Sequence, residues 1–385
     1  MDLNLDPREQ ELVDSAREFS THKVAPNAAE WELERKVPLD TIRAASALGL
    51  AGLLVPREYG GQGLSYTAVA RIMEELASGC MYFAFSLVVH NNLANNISRN
   101  GTPEQIQRFI PGLIKSDQIG AFCLTEPGAG SDAAAITTEA KVMDGAWILN
   151  GRKAWITNGA VANLFSVYAQ TDFDLGWRGI VCILVQDNAP GLQRGEAYSM
   201  LCGHAMGTSE LTLKDCKVPE ENLLIGHGDA FKAAMGGISL ARAFVGAMCC
   251  GMMRVSLDHA VEYASNRQVF GRPVAGFQGV QWQLADAATN LEASRLLTYQ
   301  ATQTLDRQED ANVKAAHAKK FATRAAMTVI SDCMQAMGAE GFRNDYPLGR
   351  HLAGAKMAQY LDGTTEIQNV VISRALFKDK GIKTV

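Results

Sequence analysis

The sequence has little that would direct the protein to a membrane or to nucleic acid. It contains no uninterrupted apolar run of about 20 residues, the length that a bilayer-spanning helix needs. Its formal net charge of -5 provides no basic field for a phosphate backbone or an anionic lipid surface. We therefore expect a soluble protein that binds neither.

Cysteine is also sparse, with eight residues in a chain of 385 and no repeated CxxC pair. A zinc ribbon or a disulfide scaffold depends on such paired spacings, so neither is expected. The N-terminal stretch from Met1 to Pro7 is acidic and lacks the basic region and apolar core of a signal peptide. It also lacks the Arg-rich character of a transit peptide. These absences favour a cytoplasmic location and no metal site.

The sequence does have the composition of an ordinary globular chain, with 47% hydrophobic and 20% charged residues. Its length exceeds the usual domain size of about 100 to 200 residues, which predicts two or three domains. Asp6, Pro7 and Glu9 are placed as an N-cap, a first-turn proline and a reciprocal cap, so a helix should open the chain. Helical spacing of apolar residues continues to about residue 120.

The middle third has a different pattern. Runs of β-forming residues at 164–170 and 180–185 are accompanied by turn pairs at 144–145 and 150–151, which indicates antiparallel strands. Long helical patterns return after residue 231. We predict an α+β multidomain protein with an N-terminal helical domain at 1–120, a central antiparallel β domain at 121–230 and a C-terminal helical bundle at 231–385.

One segment, residues 123–132, combines glycines, a proline and hydroxyl side chains in a turn that enters the β region. Glycine lets the backbone approach a phosphate or a flavin ring closely, and Ser and Thr hydroxyls add hydrogen bonds. A tight surface loop is an equally simple interpretation. The spacing matches neither a Walker loop nor the GxGxxG of a dinucleotide fold.

Three further segments are ambiguous when taken singly. Trp155 and Thr157 alternate and so would share one strand face, an arrangement typical of core packing. Arg267 and Phe270, followed by Gln278, could contact a pyrophosphate or adenine, although a solvated helix end is the simpler explanation. Asp362 precedes a glycine and a helix start, where an N-cap role is the default interpretation.

In their order and spacing, these segments resemble the acyl-CoA dehydrogenase flavoprotein family across essentially the whole chain. The resemblance covers residues 122–131, 155–157, 267–271 and 363–368, and a further segment at 335–341. It implies a β-barrel as the central domain, a four-helix bundle at the C-terminus, and FAD bound between them. The implied FAD contacts are Phe122, Leu124, Thr125, Gly130, Ser131, Trp155, Thr157, Arg267, Phe270, Gln278, Gln335, Gly338, Thr364 and Glu366.

The resemblance also implies the chemistry, which is α,β-dehydrogenation of an acyl-CoA thioester. A carboxylate removes the α proton, the β hydrogen leaves as hydride to flavin N5, and electrons then pass to an electron-transferring flavoprotein. Ser131, Arg242 and Gly363 are the implied substrate contacts. The segment at 335–341 would reach the FAD of a neighbouring subunit, which implies a homotetramer.

The sequence departs from the family pattern at the catalytic base, where Asp362 replaces the usual Glu before Gly-Thr. The unperturbed pKa values of Asp and Glu, about 3.9 and 4.3, are similar, so the difference is one of reach. Some members carry the base as a Glu just before an Arg, and here that position is Ala241. Asp362 is therefore the candidate base, and we expect a short, branched or cyclic acyl group.

Other functions remain open. The same fold could support a flavin oxidase like nitroalkane-oxidising relatives, a non-redox lyase, or a dehydrogenase of a carrier-protein-bound acyl group. A non-enzymatic module that binds FAD or acyl-CoA is a further alternative. His204 and Met206 stand where the family usually has Arg and Ser. A packed structural histidine is the simpler interpretation of His204.

Overall fold

The computed structural model describes residues 5–380, and its elements follow the order helical, β, helical that the sequence predicts. The helices are α1 (Pro7–Phe19), α2 (Ala28–Leu33), α3 (Leu39–Ala47), α4 (Tyr66–Asn100), α5 (Pro103–Ile114), α6 (Ala230–Asn266), α7 (Gln278–Asp306), α8 (Asn312–Met337), α9 (Leu348–Ala358) and α10 (Thr365–Phe377). The strands are β1 (Gly120–Cys123), β2 (Glu139–Met143), β3 (Ala146–Ile156), β4 (Leu164–Gln170), β5 (Ile180–Gln186), β6 (Leu192–Ala197), β7 (Ser209–Pro219), β8 (Leu223–Ile225), β9 (Gln268–Val269) and β10 (Arg272–Pro273).

The start of α1 follows the sequence prediction in part. The Asp6 side chain accepts a hydrogen bond from the Glu9 amide at 2.8 Å, which makes Asp6 the N-cap, and Pro7 is the first helical residue. The reciprocal cap predicted for Glu9 is wrong. The Glu9 carboxylate instead accepts from the Ser65 amide at 2.8 Å, because the chain before α4 supplies a competing donor.

The chain divides into two compact units. One comprises the residues up to 33, residues 65–84 and the residues from 239 onward, and the other comprises residues 34–64 and 85–238. The β domain and its surrounding helices therefore fall in the second unit. The domain boundaries proposed at residues 120 and 230 stay a prediction.

The sheet of the second unit is open, so the expectation of a barrel was wrong. Its strand order is β6-β7-β3-β2-β4-β5-β8, with β1 added alongside β4. Among the described residues, β6 and β8 are the two ends of this path and do not pair with each other. A barrel closes by pairing its end strands. Here β8 has three residues and pairs with β5 alone, which leaves no length for closure.

Most strand pairs are antiparallel, as predicted, but β4 also receives two parallel neighbours. Gly120–Cys123 runs parallel to β4 along its first half, and Glu139 of β2 pairs in parallel with Gln170 at the other end. The core on this sheet includes Leu164 and Leu184, with Phe109 from α5 packed in the same cluster. The loop that joins β1 to β2 is thereby anchored at both ends on one strand.

The helices of the first unit pack closely through small side chains. Ala243 of α6, Ala301 of α7, and Ala315 and Ala318 of α8 form one fully buried cluster. Helix α8 also contacts α9 and α10. Because alanine lets helix backbones approach, side chains from α6 and α8 can reach the chain between α9 and α10.

Two helices are long and apolar enough to cross a bilayer by length and composition, α4 and α6. The most apolar windows of these helices are 89% and 67% buried inside the molecule, as in a core helix. Helix α4 is interrupted at Cys80, whose backbone is extended at φ -158° and ψ 110°.

All eight cysteines are buried and none is in a disulfide. Among the described residues, no group of three or more His, Cys, Asp and Glu side chains is placed to hold a metal ion.

Candidate active site

Asp362 lies in a strained turn between α9 and α10. We call residues 359–364 the Asp362 turn. Asp362 has φ +50° and Gly363 has φ +92°, so two consecutive residues are left-handed. Asp is among the few non-glycine residue types that are enriched in this region, and such strain persists where surrounding contacts hold it. The default interpretation of Asp362 as a helix N-cap does not hold, because Thr364 caps α10 by accepting from the Ile367 amide at 3.4 Å.

Donors from three helices hold the carbonyl groups of this turn. Arg242 Nε of α6 donates to Asp362 O at 3.0 Å. Lys319 Nζ of α8 donates to Gly363 O at 2.8 Å and to Gln359 O at 3.4 Å. Gln368 Nε2 of α10 donates to Gly363 O at 2.9 Å and to Thr364 O at 3.2 Å. The backbone on both sides of Asp362 is therefore fixed before any ligand binds.

The Asp362 carboxyl group itself is poorly solvated. Its Oδ2 atom is buried and has no hydrogen-bond partner among residues 5–380. Burial raises the pKa of Asp362 to about 6, while the positive charges of Lys319 and Arg242 act in the opposite direction. A carboxylate with a pKa near the working pH and an unused oxygen can accept a proton from a bound molecule.

Arg242 is buried beside this carboxylate and is already engaged with the protein. Besides Asp362 O, its Nη1 donates to Asn312 Oδ1 at 3.1 Å, and Ser239 Oγ also contacts this amide oxygen at 3.2 Å. Burial lowers the pKa of Arg242. Its neighbour Ala241 is buried and apolar, so the alternative base position of the family carries no titratable group.

The second unit brings the glycine-rich loop beside the end of β3. The Ala154 amide donates to Thr125 O at 3.0 Å, and Lys153 Nζ donates to Leu124 O at 3.1 Å. Lys153 also forms an ion pair with Glu126 at 2.7 Å, and both side chains are almost completely buried. These contacts clamp the start of the loop onto β3.

The same Glu126 carboxylate anchors the other end of the loop. It accepts from the Thr137 amide at 2.7 Å, the Thr137 hydroxyl at 2.8 Å and the Thr138 amide at 2.9 Å. Burial would raise the pKa of Glu126, but the Lys153 charge and these hydrogen bonds outweigh burial and hold it at about 2. The ionised Glu126 carboxylate therefore holds the two ends of the loop together.

Between these anchors the loop tip is open. Gly128, Gly130 and Ser131 are exposed, and a Cβ added at either glycine would meet no atom within 4 Å. Phe122 at the foot of the loop is half-buried against Tyr168, with ring centroids 5.1 Å apart. The tip presents backbone and hydroxyl groups to an open space.

Trp155 does not pack in the core, so that interpretation of the segment was wrong. Its side chain is 62% exposed, its backbone is left-handed at φ +59°, and its ring contacts Tyr198 at 4.7 Å between centroids. Thr157 lies beyond the end of β3, in the turn, and is buried. The pairing of β3 with β7 shifts register between Lys153 and Ile156, and this irregularity breaks the expected alternation.

Asn158 fixes the turn that follows. Its amide group donates to Ser86 O at 3.1 Å and to Gly120 O at 3.0 Å, and its Oδ1 accepts from Ser86 Oγ at 2.6 Å. Asn158 is fully buried with φ +65°. The backbone amide of Asn158 also donates to the carbonyl of buried Met206, and His204, two residues earlier, is half-buried.

The predicted adenosine-diphosphate contacts lie around the β9–β10 hairpin of the first unit. Phe270 is 96% exposed with φ +50°, and its ring contacts Phe277 at 6.3 Å. Arg267 is exposed at the end of α6 and Gln278 is exposed at the start of α7. The Val274 amide donates to Arg267 O at 2.8 Å, and this hydrogen bond closes the β9–β10 hairpin.

The remaining predicted cofactor contacts are separate from this hairpin in the chain. Gln335 is exposed near the end of α8, and Gly338 follows it with φ +61° and open space around it. Glu366 is exposed in the first turn of α10, next to the Thr364 cap.

Each unit exposes groups that suit one part of a large, phosphate-bearing cofactor. In the second unit, Trp155 exposes an aromatic ring from a left-handed position, and Ser131 exposes a hydroxyl group. In the first unit, Phe270 exposes an aromatic ring, and Arg267 and Gln278 are exposed around the same hairpin. The former groups suit a flavin ring and the latter suit an adenosine diphosphate, so the residues present fit FAD.

Comparison with known proteins identifies the class. Residues 6–117 match the acyl-CoA dehydrogenase N-terminal domain, residues 121–216 match the middle domain, and residues 228–377 match the C-terminal domain. The chain belongs to the acyl-CoA dehydrogenase family, whose members are FAD-dependent oxidoreductases that act on CH-CH groups of acyl-CoA thioesters.

Individual relatives are similar along nearly the whole chain. The short-chain specific acyl-CoA dehydrogenase of Homo sapiens is 36% identical over 377 residues, which cover 98% of this chain and 92% of that protein. The isobutyryl-CoA dehydrogenase of Dictyostelium discoideum is 35% identical over 378 residues, 98% and 91% of the two chains. The structure of butyryl-CoA dehydrogenase from Megasphaera elsdenii has a TM-score of 0.94 and 35% identity, and the match covers 98% of this chain and 100% of that chain.

Sequence reasoning missed two buried lysines, Lys153 beside the glycine-rich loop and Lys319 beside the Asp362 turn. Each had a weak signal in the sequence. Lys319 interrupts the alanine face of α8 that includes Ala315 and Ala322, and Lys153 stands in β3 between residues that alternate inward. A lysine at a core position of a periodic pattern requires a buried partner, although the pattern does not identify that partner.

Proposed function

We propose that the protein dehydrogenates a short, branched or cyclic acyl-CoA at the α and β carbons, with Asp362 as the catalytic base. The observation that carries this proposal is the Asp362 carboxylate, which has a buried oxygen without a partner and a pKa raised to about 6. General bases work best when their pKa lies near the operating pH. The fixed turn supports this role because a base must hold its position while the proton moves.

The reaction follows from this placement. An oxygen of Asp362 takes the α proton, and the electron pair of that bond forms the new double bond as the β hydrogen departs with its own pair. FAD, when bound, supplies the hydride acceptor. Arg242 and Lys319 keep the turn and its carboxylate in place through bonds to backbone oxygens rather than to the carboxylate itself. Asp362 therefore remains free to accept a proton.

The proposed substrate class rests on the length of the side chain. Asp is one methylene shorter than Glu, and this withdraws the carboxylate by about 1.5 Å, one carbon-carbon bond. A misplacement of about 1 Å can lower a rate on the order of a hundredfold, so the α carbon must lie closer to the turn. A compact acyl group can meet this demand. Relatives whose names specify short-chain and isobutyryl substrates support the same class.

The test is a panel of straight, branched and cyclic acyl-CoAs mixed anaerobically with the purified flavoprotein, followed by flavin bleaching in the visible band. We expect one compact class to bleach the flavin fastest. Equal bleaching by long straight-chain substrates would contradict the proposed class. Rapid oxygen consumption without another acceptor would favour the oxidase alternative.

The role of Asp362 has its own test. Asp362→Asn should keep the flavin bound and abolish bleaching, because the amide cannot take the proton. Asp286→Asn, an exposed change on α7, is the matched control and should bleach normally. Undiminished bleaching by the Asp362 variant would eliminate this residue as the base.

The family resemblance extends the proposal to partners and assembly. We propose that an electron-transferring flavoprotein reoxidises the enzyme, and that α6, α7, α8 and α10 form a four-helix bundle in a cytoplasmic homotetramer. The exposure of Gln335 and Gly338 supports a role for them at the FAD of a neighbouring subunit. A solution mass of one or two chains would contradict the tetramer.

A further inference from the structure

Lys319 is a lysine on an otherwise alanine-rich face of α8. Its side chain is fully buried in α8, on the face that carries Ala315, Ala316 and Ala322. Burial of a charged ammonium group is unfavourable unless the charge is paired and hydrogen-bonded. The residue therefore needs compensation, and its hydrogen bonds show where the compensation lies.

Its two hydrogen bonds lie on either side of Asp362. Lys319 Nζ reaches Gly363 O, directly after Asp362, at 2.8 Å and Gln359 O, three residues before it, at 3.4 Å. One ammonium group thus links the end of α9 to the entry of α10. A shift of this group would move the backbone at both ends of the strained turn together.

The charge of Lys319 also acts on the Asp362 carboxylate. Lys319 is the larger of the two positive influences on Asp362, ahead of Arg242. The side chain meets four other titratable groups through space, which are Asp362, Cys249, Arg242 and Glu366. Burial, and to a smaller extent the Arg242 charge, lowers the pKa of Lys319 to about 8, while Asp362, Cys249 and Glu366 act in the opposite direction, so the ammonium form persists at pH 7.

Other charged groups near the turn do not duplicate this role. Arg242 on α6 binds Asp362 O, but it shares its guanidinium group with Asn312. Glu366 on α10 is exposed and is itself influenced by Arg324 and Lys356. Gln368 shares the Gly363 carbonyl with Lys319 but is neutral.

We propose that Lys319 is a positioning residue for Asp362, which fixes the carbonyl groups on both sides of the base and supplies the buried positive charge that keeps the carboxylate ionised. This inference rests on the proposed role of Asp362 as the base. Lys319 acts through the turn and through space and does not touch the reacting atoms. Its loss should therefore change both the position and the proton affinity of the base.

The experiment measures the pH dependence of kcat/KM, since its acid limb reports the free enzyme's essential base. In the wild type we expect this limb near pH 6, the pKa of Asp362. Lys319→Met removes both charge and donors. Because an opposite charge nearby lowers a carboxyl pKa by about one unit or more, the limb should move upward by about one pH unit. The plateau value should fall by about tenfold or more through misplacement of the base.

Lys319→Gln is the second variant, for use if the Lys319→Met protein does not fold. The glutamine side chain keeps an N–H donor and much of the volume of lysine. It should show the same upward shift of the acid limb with a smaller loss of plateau rate. Lys319→Arg retains the charge and should leave the limb near its wild-type position. Flavin content and cooperative unfolding identify the variants that are folded.

Lys320→Met is the matched control, since Lys320 is the next residue of α8 and is half-buried, whereas the lysine that bonds the Asp362 turn is Lys319. It should leave the limb and the plateau unchanged. A wild-type acid limb in either folded neutral variant of Lys319 overturns the proposal, as does an equal shift in the Lys320 control. Asp362→Asn, measured in parallel, separates the two failures, because turnover in that variant overturns the base itself.

Discussion

Asp362 combines two unfavourable features in a single residue. Its backbone is left-handed, and its carboxyl group has one buried oxygen without a partner in the described chain. Local strain of this kind costs on the order of 1 to 3 kcal/mol and survives where function requires it. Removal of the buried charge should therefore improve stability even as it removes activity.

We predict that Asp362→Asn raises the free energy of unfolding at neutral pH by on the order of 1 kcal/mol, after allowance for solvent screening. The folded pKa, about 6, lies above the ordinary value of 3.8. The unfolded chain therefore loses its proton first, and the wild-type folded state loses stability as pH rises between these values. The variant has no such titration.

Urea unfolding of both proteins at pH 5 and pH 7.5, with FAD in excess, measures this effect. The stability gap between variant and wild type should widen toward pH 7.5. A gap that is equal at the two pH values would show that the carboxylate is not held in an unfavourable environment. Asp286→Asn should show no gap.

Sequence alone identified Asp362 but not its environment. The Gly-Thr motif that follows it placed the candidate base, whereas the left-handed turn depends on donors from α6, α8 and α10. Arg242, one of these donors, lies more than a hundred residues before Asp362 in the sequence. Neither periodicity nor a local motif carries information about such distant partners.

The element that organises the β unit is β3, through the buried ion pair between Lys153 and Glu126. Loss of one partner leaves an uncompensated buried charge, and this typically costs about 3 to 5 kcal/mol. We predict that Lys153→Met destabilises the protein by about that amount and weakens FAD retention, because the loop at 124–138 loses its clamp. Denaturant unfolding and flavin content after gel filtration measure both effects.

Arg152→Met provides the comparison on the same strand. Arg152 pairs with Glu210 at 2.6 Å, but the pair lies at the surface, so its loss should matter far less. Adding Glu126→Gln to Lys153→Met should recover part of the lost stability. Because the folded pKa of Glu126, about 2, lies below its ordinary value of 4.5, its contribution is present above pH 4.5 and is lost as pH falls toward 2. An equal loss of stability in the Arg152 and Lys153 variants would contradict the proposed role of Lys153 in holding the loop at 124–138.

The sheet shows which element-level features the sequence could predict. Turn pairs such as Asp144-Gly145 correctly indicated the antiparallel β2–β3 hairpin. The parallel pairing of β1 with β4 joins segments more than 40 residues apart, and no local signal specifies it. The irregularity near Trp155 was equally invisible, because it depends on the register against β7.

At the scale of the whole molecule, cofactor binding should be coupled to folding. A ligand that binds only the folded state stabilises it in proportion to the logarithm of its concentration. We predict that FAD raises the Tm of the apoprotein in a concentration-dependent way, and that Trp155→Ala reduces this rise by weakening FAD binding about tenfold, the loss of one aromatic contact.

Phe173→Ala is the control for this measurement. Phe173 is 53% exposed in the same unit as Trp155 but outside the predicted cofactor contacts. Thermal unfolding across a series of FAD concentrations should give the wild-type dependence for this variant. An unchanged dependence in Trp155→Ala would remove Trp155 from the FAD site.

The burial of all eight cysteines has a consequence for how the protein can be studied in a mixture. Burial raises the pKa of the thiols, to about 11 for Cys80 and Cys216 and about 12 for Cys249, so almost no thiolate forms near neutral pH. An alkylating reagent should therefore react slowly with the native chain and rapidly with any opened form. Thiol modification becomes a chemical clock for local and global opening, which can be followed by mass spectrometry in a crude extract without purification.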